Sequence, residues 1–536
     1  MKTLFLLLFS TILLDAATYT VKSGGGGNYT TIQACATGMS AGDTCTVYAG
    51  TYNENVTVTA GSVGNYKTLN VNGSDLVYVL SFTVSSHTKI IGFQIQTSGG
   101  GGACVSIGNS TDAYVTNNIM TQCGSGSMIT TGTSASYIYI KGNTLSWACR
   151  TPASGTACDA IRWNGTHGLI ENNDLSHYRL GINYYASQYS IFRSNTLHDQ
   201  FETDSGQHTD AFFAEPASNE HTQYNVIEGN IQHHAIGPNA KGLLSQGDVC
   251  AGNCFNLIIR FNIGYDIDAG NITDDNAQKS GVNPGFSHVK SYNNTWVNTN
   301  ESNTGYANAT NDYSHNSTYP ADINNIYYYG FAVASSGPRN PVSCDASTCS
   351  TGNWGHDLAY CDASGSGNCA LYSHVYQSGL WTSDPGNLLG YIGASPSNNP
   401  NFVNLAGNDF RLQAGSPAIA AGTYLTTVAA GDSGAGTSLV VTDADYFQDG
   451  SGIIGVNGDC ISVTTVGNHV CITAVNYSTK TLTMASGFSR TVGDAVWLYS
   501  DSTGRQVLVG SAPNIGATFA PSSSAAPPTS VSVILQ

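Results

Sequence analysis

In a chain where only 10% of residues are charged, seven of the 13 histidines fall between positions 167 and 234. They are His167, His177, His198, His208, His221, His233 and His234, and Asp199, Glu202, Asp204, Asp210 and Glu215 crowd the same stretch. Arg179, Arg193, Lys241 and Arg260 are the basic residues there. Imidazoles beside carboxylates and cations are the equipment of proton transfer and anion recognition. Two reaction classes use such a set. β-Elimination at a uronic acid needs a base for the proton beside the carboxylate and a cation that neutralises the carboxylate itself. His208 or Lys241 suits the base; Arg179, His177 or a bound Ca2+ suits the cation, with Asp199, Glu202 and Asp204 as hard oxygen ligands for the metal. Glycoside hydrolysis instead needs two carboxylates, and Asp210 with Asp159, Glu202 or Glu215 offers them.

These side chains must be held by something, and the sequence shows what. A short apolar run ending in Asn recurs: Tyr114-Val115-Thr116-Asn117-Asn118, Ile138 to Asn143, Leu169 to Asn173, Ser190 to Asn195, Val226 to Asn230, Ile258 to Asn262 and Val289 to Asn294. The last Asn of each run lies 25, 30, 22, 35, 32 and 32 residues from the one before. Strands this short gain a core only by stacking, so each repeat reads as one coil of a β solenoid with loops of variable length. Asn suits the corner, because its side chain tolerates left-handed backbone and can hydrogen-bond to the same Asn one coil away. No helical periodicity runs through the region.

Counting from the corner Asn aligns Asp159-Ala160-Ile161-Arg162, Arg179 to Asn183, Thr209 to Phe213 and Ala240 to Leu244 on equivalent strands. Coils stack about 4.8 Å apart. Asp210 and Lys241 are then expected as neighbours on an outward face, with Asp159 two coils below and His208 on the same side. Residues 200–207 would form a cleft wall. Asp159, Arg162, Trp163, Tyr184, Tyr185, His233 and His234 are the expected substrate contacts, with Trp163, Tyr184 and Tyr185 as sugar platforms.

The 536 residues include 35 acidic and 18 basic ones, giving a net charge of −17 that disfavours nucleic acid or an anionic membrane as partner. Leu4 to Leu14 is an apolar run preceded by Lys2 and followed by Ala16 and Ala17, the layout of a signal peptide over residues 1–17. Fourteen cysteines form seven sequence-local couples: 35/45, 104/123, 149/158, 250/254, 344/349, 361/369 and 460/471. In an exported chain they are expected as disulfides. Sequons such as Asn55-Val56-Thr57 and Asn164-Gly165-Thr166 are candidate glycan acceptors.

The opening Thr18-Tyr19-Thr20-Val21 through Gly50-Thr51-Tyr52, the Asn repeats, and the closing Asn399 to Val403, Asp409 to Leu412 and Gly415 to Ile419 together resemble the right-handed parallel β-helix, pectate-lyase-like superfamily. The resemblance spans most of residues 18–422. It implies an all-β fold and a polysaccharide lyase, glycoside hydrolase or uronan epimerase; Gln207-His208-Thr209-Asp210-Ala211-Phe212 is similar to a His-x-Asp strand of several such enzymes. Neither the Arg-x-Pro-x-x-Arg pattern of pectate lyases nor the paired-Asp motif of polygalacturonases is present. Residues 423–508, rich in short β-like runs, are expected as a small β-barrel or sandwich insertion that binds carbohydrate, mediates oligomerisation or caps the solenoid. A return segment at 509–520 and a Pro/Ser/Ala-rich tail at 521–536 follow. The expectation is a secreted or periplasmic polysaccharide lyase, with a hydrolase, or a non-enzymatic fibre or surface protein, as alternatives.

Overall fold

The computed structural model describes residues 16–97, 102–124, 126–148, 158–200, 209–214, 221–235, 244–246, 254–267, 272–274, 287–299, 309–313, 319–329, 340–343, 351–361, 385–391 and 398–517. Short strands stack in parallel, each pairing with its counterpart one repeat away, which makes the chain a parallel β-helix. One 14-stranded sheet runs from Thr18–Val21 to Asn353–Gly355. The strands on the other two sides of each coil join into a 22-stranded sheet. At the start, the helix Ile32–Gly38 packs on the first strands, with the Thr31 side chain accepting from Ala34 N and the Glu54 carboxylate from Ile32 N and Gln33 N.

The repeat that sets this architecture is a buried asparagine ladder. The Oδ1 atoms of Asn143, Asn173, Asn195, Asn230, Asn262 and Asn294 each accept from the backbone N–H and the Nδ2 of the ladder residue one coil earlier, at 2.9–3.1 Å. The ladder continues through Asn325 to Asp357, whose Oδ1 accepts from Asn325 N at 2.6 Å, and on to Asn387, whose Oδ1 accepts from Asp357 N at 2.9 Å. Each Nδ2 also donates to a backbone carbonyl, as Asn195 does to Ile170 O, so the corner's polar groups are satisfied without water. The left-handed residue is the one before the ladder Asn: Asn117, Gly142, Asn172, Ser194, Gly229, Phe261, Asn293 and Asn324 have φ between 55 and 65°. Asn is selected at the ladder position for its hydrogen bonds, and the backbone turn is taken one residue earlier.

Cys35–Cys45, Cys104–Cys123 and Cys460–Cys471 are disulfides. Cys158, Cys254 and Cys361 are also disulfide-bonded, to cysteines outside the described residues.

The C-terminal part forms the expected small β domain. Strands Thr426–Thr427, Ala495–Ser500, Cys460–Val463, Thr465–Asn476, Thr481–Arg490 and Gly434–Val440 form, in that order, a six-stranded antiparallel sheet. It lies along the side of the solenoid rather than over its end. The outward apolar row Tyr139, Leu169, Ile191, Val226 and Ile258 of the first sheet shares one core with Phe447, Ile461 and Leu498. At the centre of this contact Arg260 is fully buried: its Nε donates to Glu228 Oε2 at 2.7 Å, and its Nη1 and Nη2 reach Asp459 Oδ2 and Oδ1 at 2.8 and 2.7 Å. Arg193 donates to Glu171, to Ser502 and to the Gly455 carbonyl. Arg193 and Arg260, counted above with the candidate site, therefore serve this lateral contact. The Phe402–Asn404 and Asp409–Leu412 hairpin, expected as a closing coil, lies against the outer face, where Phe402 meets Tyr328 and Phe410 meets Tyr265.

Candidate functional site

The parallel register fixes which chemical groups stack. Asp159 is opposite Leu180, which is opposite Asp210; Arg162 is opposite Asn183, which is opposite Phe213. The alignment expected from the sequence for these three strands is the one observed. His208, Lys241, Glu202 and Asp204, and with them Glu215, lie outside the described residues.

Asp159 organises the first patch. Its carboxylate is fully buried, and Oδ2 accepts from Ser127 Oγ at 3.2 Å, Asn183 Nδ2 at 3.1 Å and Arg162 Nε at 3.2 Å. Burial pushes its carboxyl above the usual range, opposed by the charges of Arg162 and Arg179 and by the Asn183 and Ser127 hydrogen bonds, so both arginines lie within electrostatic reach. Arg162 is docked through Nε alone. Its side chain is 36% exposed, its guanidinium carbon sits 5.7 Å from the Tyr185 ring centroid, and among the described residues neither Nη group has an acceptor. Such a fork, anchored at one nitrogen and open at the other two, is shaped for a carboxylate. Asp210 is buried, and Tyr178 beside it senses the charges of both Asp199 and Asp210.

The second patch is a histidine strip on the neighbouring run of strands, where Ser176, His198, His233 and Tyr265 occupy successive rungs. His198 is clamped between Asp199 Oδ2 at 2.7 Å and Asp174 Oδ1 at 2.8 Å. Burial alone would lower its pKa, but the two carboxylates outweigh burial and raise it, so this imidazole is held towards the charged form. Its ring stacks on His233, centroids 5.0 Å apart, which stacks in turn on Tyr265 at 4.9 Å. Burial, with the charges of His198 and His234, pushes His233 down to about 4. His234 Nδ1 is 2.7 Å from His233 Nδ1 and its Nε2 is 3.9 Å from Asp266. At the corner between the patches His177 stacks under the 43% exposed Trp147 at 4.2 Å, and burial lowers its pKa. Burial thus works against the cationic form of His177 that the expected neutralising role needs.

The structure bears on three further expectations. Trp163 and Tyr184 have no exposed surface: Trp163 Nε1 donates to Ser187 and Ser190 inside the solenoid, and Tyr184 packs on Phe192. Neither ring can meet a sugar, and Tyr185, half-buried beside Arg162, alone of the three keeps a place at the patch. Asp199, expected as a metal ligand, directs Oδ2 to His198 at 2.7 Å, and its expected co-ligands Glu202 and Asp204 lie outside the described residues. Finally, the histidines divide: His177, His198, His233 and His234 share the strip, while His167 belongs to a ring stack with Tyr137 and Tyr189 beside the first sheet. Ser127, Asn183, Asp174 and Tyr265 were missed. Only the pairing of coils could have revealed them, since each is 20 or more residues from its partners.

The depressed His233 gives a pH prediction with a definite sign. Between pH about 6.5 and 4 the unfolded chain binds a proton at this position that the folded chain does not, so stability falls as pH falls through that window. His198 has the opposite sense: its contribution is full below about 6.5 and is lost as pH rises through its raised folded value. The thermal midpoint of His233→Gln, relative to the parent protein, is expected to rise between pH 7 and pH 4.5; calorimetry at the two pH values checks it, and an unchanged difference would contradict the assignment.

No family model matches the chain. No curated protein matches it in sequence. Among solved structures, XylC in complex with xylose is similar at 11% identity and TM-score 0.49, covering 94% of this chain and 98% of that one. Pectate lyase Pel9A is similar at 16% identity and TM-score 0.36, covering 77% and 93%. A tailspike protein of E. coli bacteriophage HK620, in complex with a pentasaccharide, is similar at 13% identity and TM-score 0.41, covering 84% and 85%. The chain is a parallel β-helix protein by its own strand pairing.

Proposed function

We propose that the protein is a secreted polysaccharide lyase that cleaves a uronic-acid-containing glycan by β-elimination. The observation that carries this reading is Arg162: a guanidinium fixed through Nε on a buried carboxylate, with two Nη groups that have no acceptor among the described residues and a half-buried tyrosine alongside. A uronate carboxylate accepting from both Nη groups is neutralised, which acidifies the C–H beside it. A base takes that proton, the C–H electron pair becomes the C4=C5 double bond, and the C4–O bond breaks with its electrons passing to the leaving oxygen, which is then protonated. His208 and Lys241 are the proposed bases, Arg179 a second cation at the patch. Disulfides fit an oxidising compartment.

A second reading is favoured by the paired carboxylates. Asp159, held partly towards its protonated form by burial, and Asp210 stand two rungs apart, roughly 9.6 Å along the stack. That is near the upper end of the separation used by inverting glycoside hydrolases, about 6.5–9.5 Å. One experiment separates the two. Incubation with polygalacturonate, alginate and other polyuronates is expected to raise absorbance near 235 nm, the signature of the unsaturated uronate. Reducing ends without that absorbance would replace elimination by hydrolysis, and no release of either product from the polyuronates would overturn the proposal.

A further inference from the structure

We infer that the aromatic cluster of the C-terminal sheet is a binding site for a neutral pyranose polymer, separate from the Asp159 patch. Four rings gather there. On strand Ala495–Ser500, Val496 and Leu498 are buried while Trp497 and Tyr499 alternate with them towards the other side. Trp497 is opposite Ser462, and Ser462 is opposite His469, so the three lie in a row across three strands. His469 stacks on Tyr499 with centroids 4.0 Å apart and planes 8° from parallel. Tyr424, 44% exposed, meets Trp497 edge-on at 6.4 Å. The Cys460–Cys471 disulfide ties together the two strands that carry Ser462 and His469, which makes the platform rigid before any ligand arrives.

The chemistry of the face selects the ligand. Among the described residues the indole N–H of Trp497 and the hydroxyls of Tyr499 and Tyr424 have no hydrogen-bond partner, and His469 uses only Nδ1, towards the Val466 carbonyl at 3.2 Å. Aromatic surface flanked by unfilled polar handles fits a pyranose ring, whose C–H face packs on an aromatic ring while its equatorial hydroxyls reach donors and acceptors at the edge. Among the described residues none of the ion pairs or cation–ring contacts involves these four side chains. The chain's net charge of −17 adds a general repulsion towards polyanions. A neutral polymer suffers none. Asp459 commits this sheet to Arg260 of the solenoid, and Trp497 lines a cavity with Phe261, Asn293 and Asn324 at the edge where the sheet meets the coils. The inference does not rest on the lyase reading.

Sedimentation of the full-length protein with microcrystalline cellulose and with insoluble β-1,4-xylan tests it. The parent protein is expected to pellet with at least one of the two, in a saturable way, and soluble polygalacturonate is expected not to compete. Trp497→Ala combined with Tyr499→Ala is expected to weaken pelleting about 10-fold or more, two ring contacts' worth. Tyr424→Ala, at an exposed rim position, provides a variant whose folding is safe and is expected to weaken binding by a smaller factor. Failure of the parent protein to pellet with either polymer would overturn the inference. So would undiminished pelleting of Tyr424→Ala, or of the double variant with native circular dichroism.

Discussion

Replacing Arg260 with alanine is expected to destabilise the protein by about 3–5 kcal/mol, because it strands two buried carboxylates together. Arg260 contacts Glu228 and Asp459 simultaneously and also donates to the Tyr292 hydroxyl at 2.9 Å. Burial pushes Glu228 up, with the charges of Asp501 and Asp459 adding to it and Arg260 alone opposing strongly. Without the guanidinium, Glu228 must protonate or the contact must open. Glu228 is on the solenoid and Asp459 in the C-terminal sheet, so opening means separating that sheet from the coils it covers. Arg260→Lys is expected to recover only part of the loss, since an ammonium cannot reproduce the fork that spans both oxygens of Asp459. Limited proteolysis and thermal unfolding check this: earlier cleavage within 423–508, with a lowered midpoint, is the expected result. A variant with the parent's midpoint and cleavage pattern would mean that the Arg260 contacts contribute no net stability.

How this contact escaped a reading of the sequence is instructive. The asparagine ladder was legible because it is periodic: a residue that must meet its own counterpart one coil away leaves a repeat of about one coil in the chain. The register of Asp159, Leu180 and Asp210 followed from that ladder by counting. Arg260 and Asp459 are 199 residues apart and belong to different sheets, so no periodicity links them. Their region was charge-poor, and proximity in sequence alone assigned Arg193 and Arg260 to the histidine cluster. The same limit applies to Trp163 and Tyr184. Alternation decides which side of a strand is inside only while the strand lasts, and both rings stand just past four-residue strands, where the chain turns and they fold into the core. The histidines, close in sequence, were divided by a corner: residues 177 and 199 carry left-handed backbone and mark the edge between two runs of strands.

Charge explains why the Asp159 patch and the histidine strip are best read as different instruments. The strip holds Asp174, Asp199 and Asp266 against a single imidazole kept towards the charged form, an unwelcoming surface for a polyanion at neutral pH. The Asp159 patch sets the buried carboxylates of Asp159 and Asp210 beside two arginines, Arg162 and Arg179, with both guanidinium charges felt at Asp159. Salt screens the molecule's overall negative charge beyond about 8–10 Å, whereas a direct guanidinium contact is made well inside that distance.

Arg162→Ala is accordingly expected to reduce kcat/KM on a polyuronate by roughly 10²–10³, the loss seen when one preorganised donor to a developing negative charge is removed. The effect should fall on kcat as well as KM, because the carboxylate of the bound sugar becomes more electron-rich as the proton leaves and is held most tightly in the transition state. Stability should change far less than with Arg260→Ala. Arg162 is partly exposed and makes one hydrogen bond, and Asp159 keeps Ser127 and Asn183 as donors and can take up a proton, towards which burial already biases it. Arg162→Lys separates charge from geometry: it retains the positive charge but loses the fork, and an intermediate kcat/KM is expected. Initial rates at 235 nm for the three proteins, measured beside their thermal midpoints, decide the matter. Full activity in Arg162→Ala would remove the fork from the mechanism and leave Arg179 to be tested as the sole cation of the patch.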